Sequence, residues 1–377
     1  MENADVVLHL ADFVDDEEYL FFVPVSTTWK KAWGRRPKQT RAVTVHTTVL
    51  RLVQSFRSGL QKRGAVCEAT VSLGRLDLLQ YARAHGCPWP NGCPWDERTC
   101  NEAAFKGYLA ILRWARLAGC PWGERTCRQA ALAGRLGTLQ WARENGCPWN
   151  EGTSFEAAIG GHLEILQWAR ANGCPWDKTT CSGAASGGYL ALLQWARENG
   201  CPWDQSTCSG AAGRGHLGVF QWARSNGCPW NEITCSSAAL CGHLEVLQWA
   251  HENGCPWDTW TCSDAASGGN LDVLQWARAN GCPWSETTCQ SAAGRGHLDI
   301  LKWARANGCP WDHNTCRGAA FAGHLALLQW ARENGCPWDE ATCSCAAARG
   351  HLGVIQWARS NGCPWDWSAC SEAAACG

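Results

Sequence analysis

The chain of 377 residues has one methionine, four tyrosines and eight phenylalanines, so its core is not built from the usual mixture of large side chains. It also lacks an excess of charge. With 33 Lys and Arg against 34 Asp and Glu the formal net charge is −1, which gives no electrostatic argument for nucleic acid or an anionic membrane as partner. No apolar run approaches the length of a membrane span. The N-terminus, MENADVVLHLADFVDDEEYL, holds seven acids and no Lys or Arg, the wrong sign for a secretory signal, so an intracellular protein, cytoplasmic or nuclear, is expected. There is no CxxC motif, which removes the usual thiolate framework of a zinc site.

Tryptophan and cysteine are abundant instead, with 26 of each. In a reducing compartment such a cysteine count is not a disulfide framework. The cysteine of the motif GCPW recurs at positions 93, 120, 147, 174, 201, 228, 255, 282, 309, 336 and 363, always 27 residues apart. One supersecondary unit therefore fills most of the chain. Its consensus is GCPWDxxTCSxAAxxGHLxxLQWARxN, with the second cysteine at the ninth place in every copy except the third, which has Ser154. An incomplete copy runs from near Leu60 to Gly86 and is joined to the next by a duplicated GCPWPN.

Each unit reads as two short helices. The fifth place is Asp, Asn or Ser in ten copies and Gly123 in the other, residue types suited to a helix N-cap, which predicts a first helix over residues 205 to 213 in the copy that opens at Gly200. Cys208, Ala211 and Ala212 then share one narrow face of small side chains that lets a neighbouring helix approach closely. Glycine at the sixteenth place marks a turn. The second helix, HLEVLQWAHEN at 243 to 253, spreads Leu244, Val246, Leu247, Trp249 and Ala250 over an arc of roughly 220°, which needs cover from two sides. The next unit's opening glycine ends this helix in the left-handed conformation, and the proline two places on prevents its continuing. Two brief helices cannot bury their own apolar faces, so stacking of copies supplies the core and the fold class is all-α, an α-solenoid.

Residues 234 to 254, T-x-x-x-A-A-x-x-G-H-L-E-V-L-Q-W-A-H-E-N-G, closely resemble the ankyrin repeat, and the match recurs through about four-fifths of the chain. Two features depart from that family. Its T-P-L-H opening is replaced by T-C-S-x, and the unit is shorter than the ankyrin repeat, so the loop that carries the family's β-hairpin finger is reduced to CPWD. Ankyrin-like helix-turn-helix repeats with short loops in place of hairpins are expected over residues 60 to 377, the last repeat being incomplete. The resemblance implies recognition of a partner protein along a concave face, with no catalysis and no cofactor.

The shared positions support the same reading. Cysteines at a helix face that calls for small apolar groups are expected to pack, in preference to holding metal or forming regulated disulfides. Tryptophans such as Trp195 and Trp203 are expected to fill volume beside small neighbours, and the histidines after the mid-unit glycine (His162, His216, His243, His297, His324 and His351) to support the turn, since Tyr108, Arg135, Tyr189 and Asn270 replace them elsewhere. Function is therefore sought where copies differ. The candidate partner-binding residues are Arg98, Phe105, Lys106, Arg125, Arg128, Leu132, Phe155, Lys178, Arg214, Ile233, Trp260, Arg295, His313, Phe321, Arg349 and Trp367, in which arginine and aromatic side chains suit interface anchors.

Residues 1 to 59 lack the unit pattern and read as a separate small helical module. Their apolar order, ending in Val25, Ser26 and Trp29, resembles the latter part of an F-box without the leading Leu-Pro, which would imply a substrate receptor docking a ubiquitin-ligase adaptor subunit through residues 7 to 33. The alternative is a cap on the first unit. Residues 21 to 60 carry eight Lys and Arg and no acid, read as an exposed linker face in preference to a nucleic-acid patch. At the other end the sequence stops at Gly377, after the first helix of a unit, leaving either an open end to the stack or a truncated product as the expectation.

Overall fold

The computed structural model describes residues 97–365 continuously, together with a few positions between 71 and 80. The N-terminal module, its F-box-like segment and Trp367 lie outside the described residues. Twenty helices and no strands are found among the described residues. The chain divides into two compact units, residues 1–153 and 154–377. Both contain the same two-helix repeat, and no hairpin finger is present among the described residues.

The first helix of a repeat (A) and the second (B) follow directly from local chemistry. The A helix anticipated over residues 205 to 213 spans Gln205–Gly213. Asp204 is its N-cap, with extended backbone, and its side chain accepts a hydrogen bond from the Ser206 amide. Asp177, Asp258 and Asp312 do the same in their own copies. Where Asn231 and Asp339 occupy the place, Thr234 and Thr342 return the bond to the cap's backbone and complete a capping box.

Both turns are closed by the same device. After the A helix, Gly215 adopts φ +75° while the His216 amide reaches back to Ala211 O at 3.0 Å. After the B helix, Gly200 adopts φ +81° and the Cys201 amide reaches Ala196 O at 2.9 Å. A residue with a Cβ is strained in that conformation, so glycine is required at these two places.

In the second compact unit the A helices from Lys178–Gly187 to Glu340–Ala347 pack each on its own B helix and on the A helix of the adjacent copy; Gln205–Gly213, for example, lies against Lys178–Gly187 and Glu232–Leu240. Cys208, Ala211 and Ala212 are fully buried between these neighbours. The approach is backbone-close: a Cβ on Gly268 would stand 1.9 Å from Leu240 O. On the B helices Val246, Leu247 and Ala250 are buried, as are their equivalents except the half-buried Ile355, while the tryptophan between them is half-buried. Each fully buried leucine contributes about 1.5–3 kcal/mol through removal of apolar surface from water. The first compact unit repeats this arrangement with A helices Glu97–Lys106 and Glu124–Leu132, which pack together, and B helices Leu109–Leu117 and Leu136–Glu144.

Candidate functional site

The positions that differ between copies lie chiefly on the A helices and the turns that follow them. The seventh place, second residue of the A helix, is held by the N-cap while its side chain points outward. Arg98 and Arg125 occupy it in the first compact unit and are exposed. In the second compact unit Ile233 and Trp260 occupy it on adjacent A helices, 56% and 59% exposed. Trp260 is fixed there by its own amide, which donates to Asp258 Oδ1 at 2.9 Å. At the turn, Phe321 is 43% exposed and the Arg349 guanidinium lies over its ring at 4.3 Å. Arg214 and Arg295 are exposed, and Lys178, also exposed, pairs with Asp204 at 2.8 Å.

Other candidates are drawn into contacts between neighbours. Phe155 is half-buried, its ring 3.0 Å from where a Cβ on Gly183 would stand. Lys106 lies 5.7 Å from the Phe105 ring centroid and 4.0 Å from Glu102, and both residues are half-buried. Arg128, Leu132 and His313 are half-buried as well. Comparison of copies overlooked Leu240, which is 42% exposed on the same A helix as Ile233, and Arg317, which donates to Asp339 on the next A helix. Large apolar side chains at the same place in other copies, Phe105, Leu132 and Phe321, were the available signal for the first.

The shared residues form three regular features at the boundaries between copies. The histidine after the mid-unit glycine reaches back to the preceding copy: His216 Nε2 lies 3.1 Å from Ser186 O, and its ring covers Gly188, where a Cβ would stand 2.7 Å from it. Asn270 makes the same bond to Leu240 O at 2.9 Å and Arg135 to Phe105 O at 3.3 Å. The mid-unit glycine is thus needed for close approach as well as for the turn.

The second feature is aromatic. The loop tryptophan and the B-helix tryptophan of one copy meet edge to face, as in Trp203–Trp222 with centroids 6.0 Å apart. The arginine ending the preceding B helix lies flat on the loop ring, Arg197 over Trp203 at 4.0 Å, and donates to the Cys201 carbonyl. His251 replaces arginine once and stacks on Trp257 at 3.9 Å.

The third feature is a pair of thiols. The ninth-place cysteine of one copy meets the second-place cysteine of the next, twenty residues on: Cys100 with Cys120 and Cys127 with Cys147 in the first compact unit. In the second the pairs are 181/201, 208/228, 235/255, 262/282, 289/309, 316/336 and 343/363. All of these cysteines are buried. Cys201 Sγ donates to Asp177 O at 3.4 Å, and Cys181 Sγ lies 3.9 Å from Cys201 O. The partner's hydrogen bond holds Cys201 below the ordinary thiol range against the opposing effect of burial, and Cys181 is pushed up by that bond and by burial. At the third copy Ser154 Oγ stands in for the sulfur, 3.5 Å from Cys174 Sγ. Among the described residues no three of His, Cys, Asp and Glu converge as a metal site, and no helix is long and apolar enough to cross a membrane.

The class of protein defined by these features is a helical-repeat solenoid. No protein-family model matches the chain, and no curated protein sequence does. Among solved structures it is similar to the human ASB11 ankyrin repeat domain, at 18% identity over 42% of this chain and 84% of that one, with a TM-score of 0.35. It is also similar to the pentatricopeptide repeat protein PPR10 in complex with an 18-nt psaJ RNA element, at 14% identity and a TM-score of 0.38. That match covers 99% of this chain and 65% of the PPR10 chain.

Proposed function

We propose that the chain is a non-catalytic binding scaffold that recognises a partner protein through the variable face of its A helices. One observation carries this reading: Ile233 and Trp260, the least alike residues at their place in the repeat, are more than half exposed on adjacent, tightly packed A helices, where the consensus would place small polar groups. Solvent contact gives no reason to place an isoleucine and a tryptophan there, whereas an apolar pocket on a partner does. Leu240 and Phe321 extend the apolar character along the turns, and Arg214, Arg295 and Arg349 provide a charged surround. The A helices that carry Ile233 and Trp260 are closely packed on one another, so little ordering entropy opposes binding.

Affinity capture from cells with the full chain, beside a variant carrying Ile233→Thr, Trp260→Thr and Phe321→Ser, tests the proposal. Specific partners should be lost with the variant while its thermal unfolding stays within a few degrees of the parent. An unchanged set of partners would count against this face. Docking of a ubiquitin-ligase adaptor through residues 7 to 33 rests on sequence resemblance alone, and capture of that adaptor by the full chain but not by a chain lacking residues 1 to 40 is its test.

A further inference from the structure

At the boundary made by Cys208 and Cys228 both thiols are fully buried, and Cys208 Sγ lies 3.9 Å from the Cys228 carbonyl oxygen. The fully buried Thr207 faces Cys228, and its hydroxyl has no other hydrogen-bond partner. Arg224, half-buried, donates to the Cys228 carbonyl and lies over Trp230 at 3.8 Å. The same group recurs at Cys181 and Cys201 with Thr180 and Arg197, whose Thr180 hydroxyl is likewise without a partner. Two sulfurs, a hydroxyl short of an acceptor and a guanidinium form a site better suited to an anion on the sulfurs than to two neutral thiols. A disulfide would leave the hydroxyl unpartnered and the guanidinium without a counter-charge.

We propose that each thiol pair is a two-coordinate site for a soft monovalent d10 cation, of which Cu(I) is the physiological example. Binding is a proton-for-metal exchange: two S–H bonds are lost, two S–Cu bonds form, two protons leave, and no electron is transferred. The product, S–Cu–S with one negative charge, is balanced by the adjacent guanidinium and accepts the threonine hydroxyl. Two ligands without a third suit a linear thiolate complex of Cu(I), whereas zinc would require four. The boundary at Ser154 and Cys174 lacks one sulfur and is a built-in control.

The test is anaerobic titration of the reduced full chain with Cu(I), followed by challenge with a chromophoric Cu(I) chelator and counting of retained ions by native mass spectrometry. Ser154→Cys should retain one ion more than the parent and Cys208→Ser one fewer, with circular dichroism unchanged in both. Serine already occupies this place in the third copy, so Cys208→Ser is compatible with the fold. Failure of the parent to retain Cu(I) against the chelator, or a count that neither substitution changes, would overturn the proposal.

Discussion

In the second compact unit the A-helix stack and the B-helix side are built on opposite principles. The A helices meet through small side chains and bare backbone, with Cys208, Ala211 and Ala212 buried and Gly268 set against a carbonyl of the neighbouring copy. The B helices meet through bulk: Phe220 is fully buried, its ring 5.1 Å from that of Trp249 in the next copy, and tryptophan pairs capped by arginine fill the remaining space. The A side sets how closely copies can approach. The B side fills whatever gap that spacing leaves. The first should therefore fail when atoms are added and the second when they are removed.

Emptying the B side should have the largest effect. Phe220→Ala is expected to cost about 4 kcal/mol, the usual range for a buried phenylalanine, read as a fall in urea midpoint. On the A side Gly268→Ala is expected to destabilise by about 1–2 kcal/mol, because the added methyl meets the fixed Leu240 carbonyl and overpacking outweighs the helix propensity of alanine. Gly294→Ala sharpens the comparison, since nothing stands within 4 Å of that methyl and the change should be neutral or stabilising by up to about 1 kcal/mol. Equal responses at the two glycines would show that the A helices are not held at contact distance.

The hydrogen bond between copies ranks next. His216→Ala should cost about 1 kcal/mol by leaving the Ser186 carbonyl without its partner, while His216→Asn should retain most of the stability because Asn270 already makes that bond at another boundary. If both substitutions cost the same, ring packing over Gly188 and not the hydrogen bond is what the histidine supplies.

Much of this architecture was legible before the structure. The 27-residue period, the Asp or Asn cap and the two glycine turns are local signals, and each predicts a backbone conformation that is found at Asp204, Gly215 and Gly200. Features that depend on stacking were not legible. Cys208 and Cys201 are close in sequence, yet Cys208 Sγ lies against Cys228, 3.9 Å from its carbonyl oxygen, because the stack sets the A helix on the loop of the next copy. The reach of His216 over Gly188 and of Arg197 onto Trp203 likewise depends on where a neighbour sits. The variable face was legible in part. Ile233 and Trp260 depart from consensus at an outward place and are exposed, whereas Phe155 and Arg128 occupy the tenth place, which the neighbouring A helix partly covers, and are half-buried.

The smallest expected effect isolates charge from shape at a single A-helix boundary. Arg317 Nε donates to Asp339 Oδ1 at 3.0 Å across adjacent copies, with the two side chains 33% and 24% exposed. Burial pushes the Asp339 carboxyl up, but the hydrogen bond and charge of Arg317 push it down further, so the group lies below the ordinary carboxylate range in the folded chain. The stabilisation is therefore complete at pH values above the unfolded pKa of about 3.9 and is lost as pH falls through the lower folded value. Asp339→Asn removes the charge while keeping the N-cap, since Asn231 fills that role in an earlier copy. Solvent screening limits the expected loss at neutral pH to under about 1 kcal/mol. The difference in melting temperature between parent and variant should narrow as the pH is lowered below about 4. A difference independent of pH would mean that the carboxylate acts through its cap geometry alone, and that the A-helix stack is held by fit without help from charge.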